Sequence, residues 1–235
     1  MYAGQFDPTL DHTYEVMSDV LDYINETFID NYVHFGGDEI WLDCFNERPE
    51  IKKWMEANNI PTYVALEAYY RKRQKNIWRE KTKKKAIYWV LESLNIPVEE
   101  DDVIQWWGSK SKIGVLNETK NEVIISSYTQ LYLDLGVGTI FFDPYQTYLT
   151  WRDIYQFNPY ANSVNVIGAE TCLWSELNDN HTNDQKIWVR ASALAERLWN
   201  SKISIKTEIV NIVERLVAHK NRMKKRGFKP SIVSV

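Results

Sequence analysis

Two carboxylates stand side by side in "VHFGGDEIW", Val33 to Trp41, where a β-branched and aromatic run meets two glycines and then Asp38-Glu39. Adjacency alone means little: about four adjacent acidic pairs are expected by chance from 32 acidic residues in 235. The other such pairs lie within Glu99-Glu100-Asp101-Asp102. The surroundings carry more. The chain holds 10 tryptophans, and Trp89, Trp107 and Trp174 stand at or just beyond the ends of short apolar runs. Aromatic faces stack on the apolar C–H faces of sugar rings while carboxylates take the hydroxyls. Paired carboxylates between aromatic walls therefore fit glycoside hydrolysis, in which a carboxylic acid protonates the leaving oxygen.

Adjacent residues on a strand point to opposite faces. Asp38 and Glu39 cannot then flank one bond as acid and nucleophile unless the backbone leaves the strand, which Gly36-Gly37 permits. The more natural arrangement has each reach a different part of one substrate. Trp54, Trp78, Trp188 and Trp199 sit at helical spacing among apolar neighbours and read as core and loop packing. His34, just before the glycines, reads as a structural hydrogen bonder rather than a proton carrier. Arg190 and Glu196 read as architectural ties to the rim.

The elements that must position these groups alternate. Helical periodicity at Thr13 to Phe28 leads into "NYVHFGG"; helices at Asn46 to Asn58 and Thr62 to Lys83 lead into a strand at Lys85 to Ser93. Strands at Asp102 to Trp107, Glu122 to Ser127 and Val164 to Glu170 follow, with a short helical stretch near Lys110 to Asn117 and a long aromatic loop between them. A helix at Asp184 to Trp199 precedes one at Ile205 to Arg226 that stops at Gly227 and Pro230. Five short strands separated by helices mean a parallel α/β sheet, doubly wound or barrel. The candidate strands end in polar or aromatic clusters: Asp38-Glu39-Trp41, Trp89-Glu92, Trp106-Trp107, Ser126 to Tyr128, and Glu170 to Trp174-Glu176. Catalytic groups at the carboxyl ends of several strands favour a (β/α)₈ rim.

A composition 44% hydrophobic and 26% charged fits one globular domain over residues 1–235. The net charge of −4 argues against nucleic acid as partner. The basic run Arg71 to Lys85 reads as the solvated face of a helix. No 18-residue apolar stretch could span a membrane, and "MYAGQFDPTL" does not read as a signal peptide. Cys44, Cys172 and four scattered histidines give no metal-like spacing, so neither a metal nor another cofactor is expected. Sequons at Asn25, Asn117 and Asn180 matter only in a secretory context.

"HFGGDE" resembles the H-x-G-G-D-E signature of the family 20 glycoside hydrolases, the β-N-acetylhexosaminidases. "GQFDPT", "YWVLES", "VIQWW", "YLDL", "GAETCLWSE" and "RASALAERLW" resemble further blocks of that family, in its order and at similar spacing. The resemblance covers residues 1 to 226. It implies that Glu39 is the general acid/base, that Asp38 holds the substrate's 2-acetamido N–H, and that Tyr132 bonds the acetamido oxygen. It further implies pocket walls at Trp89, Trp107 and Trp174, and binding of sugar hydroxyls by Asp134 and Glu176. The implied substrates are glycans ending in N-acetylglucosamine or N-acetylgalactosamine, and the implied mechanism is substrate-assisted, without a protein nucleophile. The Asp134-Leu135 pair resembles the vertebrate β-type subunit, suited to neutral substrates. The resemblance also implies a lysosomal or secreted enzyme and a homodimeric parent.

Only the last five of the family's eight barrel strands can be found, so the chain reads as an N-terminally truncated barrel. The strands that supply an arginine gripping the sugar, and a histidine with an acidic partner, are not assignable here. Cys44 resembles a cysteine whose partner lies in that part, and is expected to be unpaired. An open piece of this kind would expose a strand edge and apolar faces. A non-catalytic fragment or carbohydrate-binding protein on the same scaffold is the alternative, and an interaction protein using the basic helix a weaker third.

Overall fold

The computed structural model describes residues 5–91, 98–136, 148–161, 165–202 and 204–233. Glu92, at the end of the Trp89-Glu92 cluster, lies outside them. The chain divides into two compact units, Met1–Ile104 and Gln105–Val235.

In the first unit, helix α1 (Asp11–Thr27) precedes strand β1 (Tyr32–His34), then α2 (Leu42–Asn46), α3 (Pro49–Ala57), α4 (Tyr63–Lys81) and β2 (Lys85–Val90). α1 buries Thr13, Tyr14, Met17 and Leu21, one helical stripe, against Val33 and Trp78. Trp78 is 1% exposed, and its indole N–H donates to the Lys84 carbonyl at 2.9 Å, so its one polar atom is satisfied inside the core. Phe45, Ile51, Met55 and Leu66 form a second cluster joining α2, α3 and α4. Pro49 opens α3, and the Thr62 hydroxyl accepts the Ala65 N–H to cap α4. β1 and β2 run parallel with Val33 opposite Ala86. Along β2, Ala86, Tyr88 and Val90 face inward, the period of two expected of a strand.

The boundary between the units falls within β3 (Val103–Trp106), all four residues of which are buried. The second unit continues through a 3₁₀ helix (Lys110–Glu118), β4 (Glu122–Ile125), α5 (Tyr128–Leu131), α6 (Trp151–Gln156), β5 (Val166–Ala169), α7 (Asn183–Trp199) and α8 (Ile205–Lys225). β4 and β5 pair in parallel. Trp151 and Tyr155 of α6, Val189 and Ala193 of α7, and Ile212 and Leu216 of α8 make the core of this unit. A reciprocal Thr150–Asp153 capping box starts α6, and Gly227, at φ 94°, ends α8. The expected aromatic loop thus contains α5 and α6.

Two expectations are corrected. α4 buries Arg71, Gln74, Lys75 and Trp78, so the basic run is not simply a solvated face. Its charges go inside because they are matched. The Lys75 ammonium lies 2.6 Å from Asp101, 2.5 Å from Asp102 and 3.1 Å from Glu99. Arg79 joins Glu99 at 2.7 Å and Asp101 at 3.1 Å. The acidic run Glu99 to Asp102 is the counter-charge of α4. Trp199 is 91% exposed rather than packed in core or loop, because it sits about 120° around the helix from Ala193. Trp54 and Trp188 are partly buried, Trp188 donating its indole N–H to Asp184 at 2.9 Å.

Candidate active site

In the first unit the parallel ladder continues beyond the named end of β1. The Phe35 N–H donates to the Ile87 carbonyl at 2.8 Å, and the Trp89 N–H to the Gly36 carbonyl at 3.0 Å. There the strand stops. Gly36 and Gly37 take φ of 64° and 86°, and Glu39 takes 50°, so the backbone turns out of the sheet, the departure that Gly36-Gly37 permits. Asp38 and Glu39 are both exposed on this turn. Asp38 also lines a cavity of about 230 Å³ with Phe6, Phe35, Ile40, Phe45 and Tyr70.

The turn is tied from several sides. His34 Nδ1 accepts the Gly36 N–H at 2.9 Å, and its ring lies 4.9 Å from that of half-buried Trp89. His34 is thus a hydrogen bonder to the turn. From α4, the Arg71 guanidinium donates to the Gly37 carbonyl and to Glu67, the latter at 2.7 Å, and rests 4.9 Å from the Tyr88 ring centroid. The sequence did not single out Arg71; its spacing of four from Glu67 was the available signal.

In the second unit, a second set gathers beyond β4 and β5. Tyr132 bridges Cys172 in parallel, with the Leu133 N–H donating to the Cys172 carbonyl at 2.7 Å and the Cys172 N–H to the Leu131 carbonyl at 3.1 Å. These bonds bring Tyr132 and Trp174 together, ring centroids 6.0 Å apart. Asp134, 3% exposed, accepts the Trp174 backbone N–H at 3.2 Å. Burial pushes the Asp134 carboxyl above its ordinary value, the Trp174 N–H opposes this, and the nearby Glu176 charge adds to it. Glu176 itself is exposed.

Trp107 follows β3, half-buried, with its indole N–H lacking a hydrogen-bond partner among the described residues. The next residue must be glycine: a Cβ on Gly108 would lie 2.5 Å from the Trp106 ring. The Trp107 carbonyl accepts the Tyr128 N–H at 3.3 Å, and the Tyr128 ring stands edge-on 6.4 Å from Tyr132. Arg190 of α7 donates to the carbonyls of Leu133 and Leu149, bracing the Tyr132–Asp134 segment as the expected tie. Glu196 instead accepts from Tyr155 at 3.0 Å and from Arg215, joining α6, α7 and α8. Cys44 and Cys172 are both free.

The site residues thus fall into two groups, Asp38, Glu39 and Trp89 in one unit and Trp107, Tyr132, Asp134, Trp174 and Glu176 in the other, each at or beyond a strand end. The family described as "Glycosyl hydrolase family 20, catalytic domain" matches residues 2–202. The chain belongs to glycosyl hydrolase family 20. It is 27% identical over 238 residues to the beta-hexosaminidase subunit alpha of Mus musculus, covering 99% of this chain and 44% of that one. To the beta-hexosaminidase subunit beta of Rattus norvegicus it is 30% identical over 239 residues, covering 96% and 42%. The crystal structure of an inactive mutant of the GH20 exo β-N-acetylglucosaminidase from Vibrio harveyi superposes with a TM-score of 0.79 at 22% identity, covering 97% of this chain and 37% of that one. The chain therefore spans less than half the length of these family 20 relatives. The fold class is the expected α/β class of the family's barrel, with five strands among the described residues.

Proposed function

We propose that this chain carries the later part of the catalytic barrel of a β-N-acetylhexosaminidase, which removes terminal non-reducing N-acetyl-β-D-hexosamine from glycans by a substrate-assisted retaining mechanism. The observation that carries the reading is the family 20 match across residues 2–202, which includes the glycine turn presenting Asp38 and Glu39 at the end of β1. The relatives' names, beta-hexosaminidase subunits, support the substrate class.

In this mechanism the acetamido carbonyl oxygen attacks the anomeric carbon as the bond to the leaving oxygen breaks, and Glu39 gives that oxygen its proton. Asp38 accepts the acetamido N–H and balances the positive charge that develops on the group, while the Tyr132 hydroxyl bonds the acetamido oxygen. Water then attacks the anomeric carbon, gives a proton to the Glu39 carboxylate and opens the oxazolinium ring. Net configuration is retained. Trp89, Trp107 and Trp174 wall the ring and acetamido group, and Asp134 and Glu176 take sugar hydroxyls. Burial suits Asp134 to an oriented bond, since it is already held by the Trp174 N–H. The Asp134-Leu135 pair fits a neutral sugar.

The protein acts on glycans in a lysosomal or extracellular setting, where Asn117 and Asn180, both exposed, would be glycosylation sites and a homodimer is the expected assembly. Among the described residues no helix is long and apolar enough to cross a membrane. The test is hydrolysis of 4-nitrophenyl N-acetyl-β-glucosaminide and its galactosaminide by the protein with its barrel complete. Sugar binding without turnover there would favour the second reading, a carbohydrate-binding protein on this scaffold, which the coverage of less than half of each relative keeps in play.

A further inference from the structure

We propose that Arg71 of α4 is a positioning residue for the catalytic turn, setting the direction from which the Asp38 side chain leaves the backbone. The inference rests on the reading of Asp38 and Glu39 given above. Three of the four residues Gly36 to Glu39 have positive φ, and one of those, Glu39, carries a side chain. Such a turn persists only when its surroundings over-determine it. His34 and Trp89 fix Gly36 from the strand side. From α4, Arg71 grips the next residue, donating to the Gly37 carbonyl.

That bond acts on Asp38 directly. The Gly37 carbonyl and the Asp38 N–H belong to one planar peptide unit, so holding the carbonyl fixes the plane from which the Asp38 Cα emerges. Arg71 is well placed to hold it. The residue is 4% exposed, its Nε donates to Glu67, and its guanidinium packs on the Tyr88 ring. The approach to the turn is close: a Cβ on Gly37 would lie 2.9 Å from Arg71 Nη2. Nη1 is buried without a hydrogen-bond partner among the described residues, so this cation is not placed there to satisfy its own donors. A buried cation is costly, and an apolar side chain would fill the space without that cost. The planar fork explains the choice, since it can address Glu67 and the Gly37 carbonyl together.

The test compares Arg71→Met and Arg71→Lys with the wild type in the protein with its barrel complete, reading both hexosaminidase kinetics and amide hydrogen exchange at residues 36–40. Arg71→Met should lower kcat by roughly 10², the scale of a misplaced catalytic group, with KM little changed. It should also speed exchange in the turn while leaving β2 protected. Arg71→Lys should recover part of both. If Arg71→Met does not fold, Arg71→Lys carries the test: it keeps the charge but cannot address Glu67 and the Gly37 carbonyl together, so kcat should still fall and exchange in the turn still rise relative to the wild type. Unchanged kcat and unchanged exchange in a folded variant would overturn the inference. A wild type without activity would overturn the proposed function instead, and exchange in the turn would still decide the role of Arg71.

Discussion

The backbone N–H of Trp89 donates to the carbonyl of Gly36 at 3.0 Å, and this is where the parallel ladder between β1 and β2 gives way to the glycine turn. One bond therefore links a proposed pocket wall to the segment carrying the proposed acid. Asp38 and Glu39 stand two and three residues beyond it, on backbone that no longer alternates between the faces of a sheet.

In the proposed mechanism, replacing Glu39 by Gln removes the proton that the leaving oxygen needs. kcat should fall by roughly 10²–10⁴ on an N-acetylhexosaminide. Asp38→Asn should slow the cyclisation step on the same substrate with less effect on binding. Near wild-type turnover in steady-state assays of either variant would remove its assigned role.

Tyr132 and Asp134 are neighbours in sequence with different expected signatures. In the proposed mechanism Tyr132→Phe loses a hydrogen bond to a group that gains charge, about 1.5–3 kcal/mol of stabilisation, so kcat should fall by roughly 10- to 150-fold. In the same mechanism Asp134→Ala removes a hydroxyl partner and the bond from the Trp174 N–H, so KM should rise more than kcat falls. Measuring the two parameters separately distinguishes them.

The cluster around Lys75 predicts acid sensitivity. Burial acts against ionisation of Asp101, but the Lys75 and Arg79 hydrogen bonds outweigh it and hold the carboxyl down at about 2; Glu99 is lowered in the same way, with burial again opposed by Lys75. A folded pKa below the unfolded one gives stability that is present above the unfolded pKa and lost as pH falls through the folded one. Asp102, raised by burial, works in the opposite sense. With two groups lowered against one raised, Tm should fall between about pH 5 and pH 2, and Asp101→Asn should flatten that slope. Lys75→Met leaves Asp102 buried without its cation and should cost about 3–5 kcal/mol. Thermal melts across this pH range check both.

Trp78→Ala should destabilise the first unit by about 3–5 kcal/mol, because the ring is buried among Tyr14, Met17, Leu21 and Val33. Denaturant titration would show it, and a loss below 1 kcal/mol would mean the cluster relaxes around the gap.

The strands were legible in the sequence because short apolar runs between helical patterns have few other solutions in a parallel α/β chain. The glycine turn was legible in part: two glycines before two carboxylates permit a backbone that leaves the strand. Burial of charge was not. Arg71 and Lys75 sit in a run whose composition suggests solvent, and only their partners, Glu67 four residues away and the acidic run some 25 residues on, turn that face inward. Trp199 misled in the opposite direction, since its apolar neighbours in sequence lie on another side of α7. The groups at strand ends could be named from their types and order, whereas the Tyr132–Cys172 bridge and the bracing by Arg190 depend on contacts 40 and 57 residues apart that no local pattern encodes.

The central claim is that the substrate's own acetamido group is the nucleophile, with Asp38 and Glu39 serving it. The most direct measurement compares release of 4-nitrophenol from the N-acetyl-β-glucosaminide and from the plain β-glucoside by the protein with its barrel complete. The account predicts turnover of the first and none of the second, because a sugar without the acetamido group offers Asp38 nothing to hold and the anomeric carbon nothing to be attacked by. Hydrolysis of both at comparable rates would contradict it and would require a nucleophile from the protein.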